Sequence, residues 1–265
     1  MLKKPEFTHF TLEEQEGIAI FTISRPEALN ALNQAAWTDL LNFAEYLEKA
    51  EHLQVGIITG AGDKSFIAGA DINTLTGMVP MDAVNPPCTD LGQALILLES
   101  CSKPVIAAIN GYALGGGLEV ALACDFRIVS ENAALGLPEV GLGLIPGAGG
   151  TQRLSRLAGI GIAKDMILAG RTLSAQEAVT HNLAMKVVPR EDLLAEAVKL
   201  AKSLAKKGPL ALRLGKQAIN RSLDVDLKTA LYIENLTFGM LLSTDDKREG
   251  TRAFIEKRKP AFKGK

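Results

Sequence analysis

Short apolar runs rich in β-branched residues alternate with segments of helical period along the first two thirds of the chain. The runs at 17–23, 55–59 and 104–110 are bounded by turn residues, which predicts three β-strands. Between the first two runs, apolar side chains recur at helical spacing, which predicts an amphipathic helix over 33–51. The apolar residues of that helix are Trp37, Leu40, Leu41, Ala44 and Leu47.

Fainter strand patterns follow at 65–71, 125–129 and 133–135, and a helical pattern covers 90–99. The segment 65–71 ends in a glycine-containing turn. Strands and helices alternate in this way as far as about position 189. That order predicts an α/β fold with mostly parallel strands.

Beyond residue 191 the pattern is helical throughout, and the Gly208-Pro209 pair separates one helix from the next. We therefore predict an α/β core over 1–195 that carries the site and a C-terminal helical region over 196–265. No low-complexity linker lies between them, so we expect the two parts to pack together. The predicted C-terminal helices span 191–206, 209–221, 225–243 and 246–258.

Composition and charge exclude several classes of function. The chain has 265 residues, 47% of them hydrophobic, and a net charge of −1, so nothing favours nucleic acid or an anionic membrane as a partner. No run is long and apolar enough to span a bilayer, and no apolar stretch follows the basic N-terminus as in a signal peptide. Three cysteines without CxxC spacing, Cys88, Cys101 and Cys124, argue against a disulfide framework or a zinc site. We therefore expect a cytoplasmic protein.

Two glutamates, Glu119 and Glu139, each adjoin a glycine-rich turn. Glu119 follows glycines 115–117 and begins an apolar stretch that predicts a helix, so those glycines present free N–H groups at a helix start. Glu139 precedes two further glycines and the glycine-rich run 146–150. A donor for a developing oxyanion beside a carboxylate that can move protons indicates an acid–base enzyme acting on a carbonyl compound.

Simpler interpretations exist for each glutamate alone. An acidic residue suits the first turn of any helix because of the helix dipole, and Glu139 fits an ordinary turn at a strand end. The pair, with its glycine turns, is what favours a two-carboxylate site. Other schemes find no support, because the chain lacks GxSxG, HExxH and GxxxxGK[ST] motifs, a complete dinucleotide fingerprint and metal-ligand spacing.

Six segments together resemble the enoyl-CoA hydratase (crotonase) family. The resemblance runs in order from about residue 17 to 263, and the two glutamates have the spacing that hydratases show. The segments are AGADI at 68–72, PVIAAING at 104–111, YALGGGLE at 112–119, LPE at 137–139, IPGAGGTQR at 145–153 and FIEKRK at 254–259.

The resemblance implies a spiral of ββα repeats followed by a helical trimerisation region, in a homotrimer or a hexamer built as a dimer of trimers. It implies an acyl-CoA thioester as ligand, with coenzyme A as part of the substrate, no separate cofactor and no metal. The thioester oxygen would accept from the backbone N–H groups of Ala70 and Gly116. Residues that match substrate-binding or CoA-binding positions are Arg25, Ala28, Leu29, Ala68, Asp71, Ile72, Leu137, Gly147, Phe254 and Lys257, the last two reaching the ligand from a neighbouring helix or subunit.

The resemblance also implies the reaction, which is reversible addition of water to 2-trans-enoyl-CoA. Glu119 would orient and deprotonate water, and Glu139 would protonate Cα; which glutamate carries the proton at rest is left open. Relatives that are isomerases, dehalogenases, decarboxylases or thioester hydrolases mostly replace one or both glutamates, so the pair favours a hydratase. Many hydratases have glutamine where this chain has Leu137, which makes the site more apolar. We expect the segment 78–87, with its three prolines, to be a mobile loop and part of the acyl pocket wall.

Three alternatives differ in substrate or class. Segments 115–125 and 136–139 resemble 3-methylglutaconyl-CoA-type hydratases, whose carboxylated substrate needs a cation that the sequence does not place. RNA-binding relatives in that subgroup use a lysine-rich first helix, whereas the first helix here is acidic, the wrong sign for phosphate. A catalytically silent scaffold is disfavoured because both glutamates are retained.

Overall fold

Two β-sheets form the frame of the molecule. The computed structural model describes residues 2–84 and 90–265, without the side chain of Val84. The strands in these ranges are β1 (Phe10–Gln15), β2 (Ile18–Ile23), β3 (Val55–Gly60), β4 (Ser65–Ile67), β5 (Val105–Ile109), β6 (Tyr112–Leu114), β7 (Phe126–Ser130), β8 (Ala134–Gly136), β9 (Leu173–Ser174) and β10 (Lys186–Val188). The larger sheet has the order β1-β2-β3-β5-β7-β10, and the smaller has the order β4-β6-β8-β9.

The chain passes repeatedly from the larger sheet to the smaller one. Strands β3, β5 and β7 are parallel neighbours in the larger sheet, and each continues directly into β4, β6 or β8, which are parallel neighbours in the smaller sheet. A helical segment follows each pair of strands. This repetition confirms the predicted α/β spiral of ββα turns.

Helices cover the sheets and form the C-terminal part of the chain. The helix α1 begins where predicted, because the side chain of Asn33 caps it by accepting from the Ala36 N–H at 2.9 Å. The helices are α1 (Gln34–Lys49), α2 (Ile72–Thr76), α3 (Pro80–Val84), α4 (Asp90–Ser100), α5 (Gly116–Ala123), α6 (Gly150–Ala158), α7 (Ile160–Leu168), α8 (Ala175–Thr180), α9 (Leu193–Leu204), α10 (Pro209–Arg221), α11 (Leu227–Leu242) and α12 (Asp245–Ile255).

The larger sheet is buried on both faces. Along β2, Ala19 and Phe21 face a core shared with α1, α4 and α5, while Ile18 and Ile20 face the opposite side, where α9 packs. Helix α9 therefore belongs to the packing of the sheet. The predicted boundary between residues 195 and 196 lies inside this helix, and a division of the chain there stays a prediction.

The structure contains four strands that the sequence pattern did not predict, β1, β6, β9 and β10, and one helix in place of a predicted loop. Strand β1 buries only two side chains, and β6 is three residues long, so neither gives a clear pattern. The loop predicted at 78–87 is wrong for Pro80–Val84, which is helical. Proline suits a first helical position, and the Asp82 carboxylate accepts from the Val79 N–H at 2.8 Å. Positions 85–87 of the predicted loop lie outside the described residues.

The last three helices contribute little to the core of the single chain. Helices α10 and α11 contain no buried residue, and α12 buries only Asp246 and Ala253. Within 2–84 and 90–265, no helix combines the length and apolar character needed to cross a membrane. The four predicted C-terminal helices are confirmed to within a few residues at each end.

Candidate active site

Glu119 lies in the first turn of α5, a helix whose residues are all buried. Its side chain is held there by the backbone of a distant loop, since Oε1 accepts from the N–H groups of Ala148 and Gly150, both at 2.8 Å. Only glycine fits at position 150, because a Cβ there would lie 3.0 Å from Oε1 of Glu119 and 2.8 Å from Pro146. The glycine-rich run after Glu139 therefore places two donors on one oxygen of Glu119.

Glu139 begins a short 3₁₀ helix, Glu139–Leu142, just after β8. Its Oε1 lies beside Gly115, the residue that precedes α5, and its Oε2 is buried without a hydrogen-bond partner among the described residues. Burial raises the pKa of Glu139 to about 7, and the negative charge of Glu119 adds to that shift. The structure thus brings the two predicted glutamates together.

The two carboxyl groups have different environments. Burial also raises the pKa of Glu119, but the N–H groups of Gly150 and Ala148 and the charge of Arg153 oppose that shift. Among the described residues, Glu139 has no comparable cation, and one of its oxygens is buried without a partner. Donors and a positive charge thus oppose the protonation of Glu119, which burial favours.

Two backbone N–H groups, those of Ala70 and Gly116, belong to segments that approach each other closely. Ala70 forms a parallel bridge with Leu32 in which the N–H of Asp71 and the carbonyl of Gly69 make the hydrogen bonds, so the N–H of Ala70 points the other way. The N–H of Gly116 is the first of α5, and a Cβ on Gly116 would lie 3.7 Å from the Ala70 nitrogen. Neither N–H donates to another residue in the described part of the chain. Such a pair is suited to an oxyanion.

Close packing of α5 on β4 creates this pair of donors. A Cβ on Gly117 would lie 2.0 Å from the carbonyl oxygen of Ile67, far inside van der Waals contact, so no other residue allows the helix to approach the strand this closely. The glycines around Glu119 therefore have separate tasks: one admits the neighbouring strand, and another offers its N–H.

The two segments predicted to line a CoA channel meet in the structure. Arg25 Nη2 lies 3.3 Å from Asp71 Oδ2, and the N–H of Ala68 donates to the carbonyl of Leu29 at 3.2 Å. The N–H of Asn73 and the charge of Arg25 hold the pKa of Asp71 below its usual value. Leu29 and Ile72 are exposed, and Ala28 ends the short 3₁₀ helix Pro26–Ala28.

Other predicted positions differ in their relation to the glutamates. Leu137 is fully buried beside Gly150, where a Cβ on the glycine would lie 3.0 Å from Leu137 Cδ1, and Gly147 faces open space. Phe254, 86% exposed, and Lys257 lie at the end of α12. No hydrogen bond or ion pair within 2–84 and 90–265 joins either of them to the glutamates. The single chain therefore shows no polar contact between these two residues and the glutamates in the described ranges.

Sequence reasoning missed the groups that hold Glu119, namely Ala148, Gly150 and Arg153. All three lie in the segment 145–153, which carried the resemblance and in which only Gly147 was predicted to contact the ligand. Their carboxylate contact joins positions about thirty residues apart, which no local pattern reveals. In the described residues, no group of three or more His, Cys, Asp or Glu side chains is placed to hold a metal ion.

Comparisons with known proteins show what this chain is similar to. The family model for enoyl-CoA hydratase/isomerase matches residues 13–265. The chain is 45% identical to crotonyl-CoA hydratase of Syntrophomonas wolfei over 257 residues, 97% of this chain and 98% of that protein. It is 45% identical to short-chain-enoyl-CoA hydratase of Clostridium acetobutylicum over 96% of this chain and 97% of that protein. The crystal structure of enoyl-CoA hydratase from Bacillus anthracis matches with a TM-score of 0.92 and 41% identity, covering 97% of this chain and all of that one.

Proposed function

This chain belongs to the enoyl-CoA hydratase/isomerase family, and from that premise we propose that it is an enoyl-CoA hydratase that uses Glu119 and Glu139 as its acid–base pair. The reaction is the reversible addition of water to a 2-trans-enoyl-CoA, which gives 3-hydroxyacyl-CoA. The coenzyme A that the substrate carries is the only cofactor-like group that this reaction requires.

The observation that carries the proposal is the contrast between the two buried carboxyl groups. Glu119 accepts two N–H bonds at 2.8 Å, whereas Glu139 has a buried oxygen without a partner among the described residues. The pKa of Glu139 is raised to about 7. Two carboxyl groups whose environments separate their proton affinities are suited to act as base and acid in one reaction.

The proposed sequence of steps begins with water bound between the two glutamates. Glu119 accepts a proton from the water while the water oxygen forms a bond to Cβ. The electrons of the double bond move toward the thioester oxygen. Glu139 then gives its proton to Cα, which restores the carbonyl. One O–H bond of water breaks, one C–O and one C–H bond form, and the protons of the two glutamates re-equilibrate through solvent.

The N–H groups of Ala70 and Gly116 would hold the thioester oxygen during this sequence. Negative charge develops on that oxygen in the enolate, so fixed donors there stabilise the transition state more than the substrate. Removing one donor of this kind typically costs about 3–4 kcal/mol in activation free energy. This assignment is supported by the closeness of the two residues and by the lack of an acceptor for either N–H among the described residues.

A short, uncharged acyl chain is the substrate that the site supports best. The side chains beside Glu119 include the buried Leu137, and the cation that acts on Glu119, Arg153, is already paired with Glu99 at 2.8 Å and is not free to bind a substrate carboxylate. Two relatives of this chain bear the names crotonyl-CoA hydratase and short-chain-enoyl-CoA hydratase. A carboxylated substrate such as 3-methylglutaconyl-CoA would require a cation free of such a pairing.

We assign the coenzyme A moiety to the surface formed by segments 25–29 and 68–73. The Arg25–Asp71 ion pair ties these segments together beside the Ala70 donor, and the exposed Leu29 and Ile72 offer apolar contacts. Phe254 and Lys257 would join this surface from another copy of the chain, since both are exposed at the end of α12 and neither forms a hydrogen bond or ion pair with the glutamates in the described ranges.

We propose that the chain assembles as a homotrimer through its C-terminal helices. Helices α10 and α11 bury no residue in the single chain, and together with the segment that joins them they expose a series of large apolar side chains. Apolar surface of this extent in a helical region is typical of a subunit interface. The exposed residues are Ile219, Leu223, Leu227, Leu231, Tyr232, Leu236, Phe238, Met240 and Leu242.

The test of the proposed function is the loss of enoyl-thioester absorbance with crotonyl-CoA. The rates with a C10 enoyl-CoA and with 3-methylglutaconyl-CoA are measured for comparison. We expect crotonyl-CoA to react fastest, and the product to be identified as 3-hydroxybutyryl-CoA by chromatography. Absence of reaction with all three thioesters would refute the hydratase. Faster reaction of 3-methylglutaconyl-CoA than of crotonyl-CoA would refute the proposal of an uncharged substrate and leave the proposed hydratase activity standing.

A further inference from the structure

We infer that Arg153, paired with Glu99, is a positioning residue that holds the 148–150 backbone so that its two N–H groups stay on the Glu119 carboxylate. The inference rests on the proposed function, since it assigns a task within the same site. It adds a residue that touches neither substrate nor reacting atoms and that acts through the backbone of Ala148.

Both backbone polar groups of Ala148, its N–H and its carbonyl, form hydrogen bonds with side chains. Its N–H donates to Glu119 Oε1 at 2.8 Å, and its carbonyl oxygen accepts from Arg153 Nη1 at 2.9 Å. The backbone N–H of Arg153 also donates to the carbonyl of Gly149 at 2.8 Å, at the start of α6. The guanidinium therefore fixes the orientation of the segment that presents donors to the carboxylate.

The guanidinium is itself held in place by Glu99. Arg153 Nη2 and Nε lie 2.8 Å and 3.2 Å from Glu99 Oε2, and the Arg153 side chain is only 12% exposed. Charge-assisted hydrogen bonds of this kind are stronger and more directional than neutral ones. The pair links α6 to the end of α4.

The C-terminal helices anchor this end of α4. Asn220 on α10 donates to the carbonyl oxygen of Glu99 at 2.8 Å, and Lys216 donates to the carbonyl of Leu98 at 3.1 Å. A continuous series of hydrogen bonds thus runs from α10 through Glu99 and Arg153 to Glu119. The proposed assembly region and the proposed base are connected through a single guanidinium.

Gly149 is shaped for this guanidinium. Its φ of +103° lies in the region that favours glycine, and a Cβ there would lie 2.2 Å from Arg153 Nη1. Any other residue at position 149 would displace the guanidinium from the Ala148 carbonyl. Position 149 therefore requires glycine because of the contact with Arg153, and not because of the substrate.

The positive charge of Arg153 opposes the rise in the pKa of Glu119 that burial causes, as do the two N–H groups that Arg153 holds in place. The charged groups that bear on Glu119 are Arg153 on α6 and, across the site, Glu139, with Glu99 on α4 behind the guanidinium. Removal of the positive charge would raise the pKa of Glu119 further, because burial already favours its neutral form. A residue that only fastened α6 to α4 would not have this effect.

The experiment compares Arg153→Met, Arg153→Lys and Arg156→Met. Arg156 is the matched control, because it lies on the same helix and, among the described residues, its Nη1 bonds only to Gln152. We expect Arg153→Met to lower kcat for crotonyl-CoA by about 10-fold to 100-fold, as displacement of a catalytic group by ~1 Å does. The acidic limb of its pH–kcat profile should move to higher pH, while KM changes little. Arg153→Lys should keep the position of the limb, since it keeps the charge, and Arg156→Met should match the wild type.

Hydrogen–deuterium exchange of a peptide covering 146–150 supplies a readout that does not depend on activity. We expect faster exchange at the amides of Ala148 and Gly150 in Arg153→Met and no change in Arg156→Met. Unchanged exchange, or an unchanged acidic limb with a merely lower melting temperature, would overturn the positioning role. If the wild type hydrated no enoyl-CoA, the proposed function would fail, and the exchange result would still decide whether Arg153 holds the donors of Glu119.

Discussion

The carboxylate of Glu139 lies against the α-carbon of Gly115, so closely that a methyl group on this glycine would stand 3.1 Å from Oε1. Gly115 also has φ +51° and ψ −127°, a combination that side chains oppose. One backbone position therefore sets the start of the helix that carries Glu119 and the place of Glu139 across from it.

Gly115→Ala should damage the site through this contact. We expect strain of about 1–3 kcal/mol in the unfolding free energy and a fall in kcat of about 100-fold, because the Glu139 carboxylate must move. The measurements are chemical denaturation and the rate with crotonyl-CoA. Gly161→Ala is the control, since a Cβ there meets nothing within 4 Å, and it should keep full activity. Equal activity of the two variants would contradict the role given to the Gly115–Glu139 contact.

Glu139→Gln should abolish general acid catalysis while leaving the shape of the site unchanged. We expect hydration to slow by about 10²-fold to 10⁴-fold. In the wild type, kcat/KM should fall as pH rises above about 7, because the protonated fraction of Glu139 falls there. The residual rate of the variant should show no such alkaline limb. Persistence of the limb in Glu139→Gln would assign it to another group.

The same pKa makes Glu139 a source of pH-dependent stability. Its folded pKa, about 7, lies above the ordinary value of 4.5, so the folded state binds the proton more tightly and the favourable contribution is present at low pH. That contribution is lost as pH rises from 4.5 to about 7. The loss is at most about 3 kcal/mol, and solvent screening reduces it because the group is only half-buried.

Denaturation of the wild type and of Glu139→Gln at pH 5 and pH 8 measures this contribution. We expect the unfolding free energy of the wild type to decrease relative to the variant between the two values. Subtraction of the variant removes the contributions of distant buried acids such as Asp125, whose pKa burial also raises. A constant difference across this range would show that the Glu139 carboxyl is not perturbed.

The parts of the fold that could be predicted from sequence are those with a local pattern. The β-branched run of β2 and the helical period of α1 each predict their element from a short local pattern. The family motifs predict that Glu119 and Glu139 belong to one site. Strand β1 could not be predicted, because its identity comes from pairing with β2 and from the stacking of Phe10 on Phe21 at 4.0 Å between ring centroids. Helix α3 depends on an Asp82 cap within a segment rich in proline.

The chemistry of the site shows the same division. The carboxylates could be predicted because glycine turns mark them, but their relative proton affinities could not. That difference depends on Ala148, Gly150 and Arg153, which reach Glu119 only after folding. The cytoplasmic location expected from the cysteine pattern stays a prediction. Cys101 and Cys124 are buried free thiols, and Cys88 lies outside the described residues.

A buried ion pair should carry much of the attachment of α10 to the core. Lys216 Nζ lies 2.8 Å from Asp125 Oδ2, and the Lys216 side chain is 8% exposed. Lys216→Met would leave the Asp125 carboxylate buried without its cation, which should cost about 3–5 kcal/mol in unfolding free energy. Lys202→Met is the control, because its partner Glu16 is 71% exposed, and such surface pairs contribute about 0–1 kcal/mol. Similar losses in the two variants would contradict this difference.

The proposed trimer makes a prediction about the exposed apolar side chains of α11. Leu227 and Leu231 lie one helical turn apart and are 74% and 48% exposed in the single chain. Burial of a leucine at an interface contributes about 1.5–3 kcal/mol, so Leu227→Glu together with Leu231→Glu should dissociate the assembly. Sedimentation equilibrium should give three times the 28.2-kDa chain for the wild type and a single chain for the double variant.

Lys228→Glu on the same helix is the control for that measurement, since it changes charge without removing apolar area. It should sediment as the wild type does. Activity gives the second readout: if Phe254 and Lys257 reach the ligand from another subunit, the dissociated variant should have a raised KM for crotonyl-CoA while Glu119 and Glu139 stay in place within each chain. A monomeric wild type with full activity would refute both the assembly and the contribution of a neighbouring chain to the site.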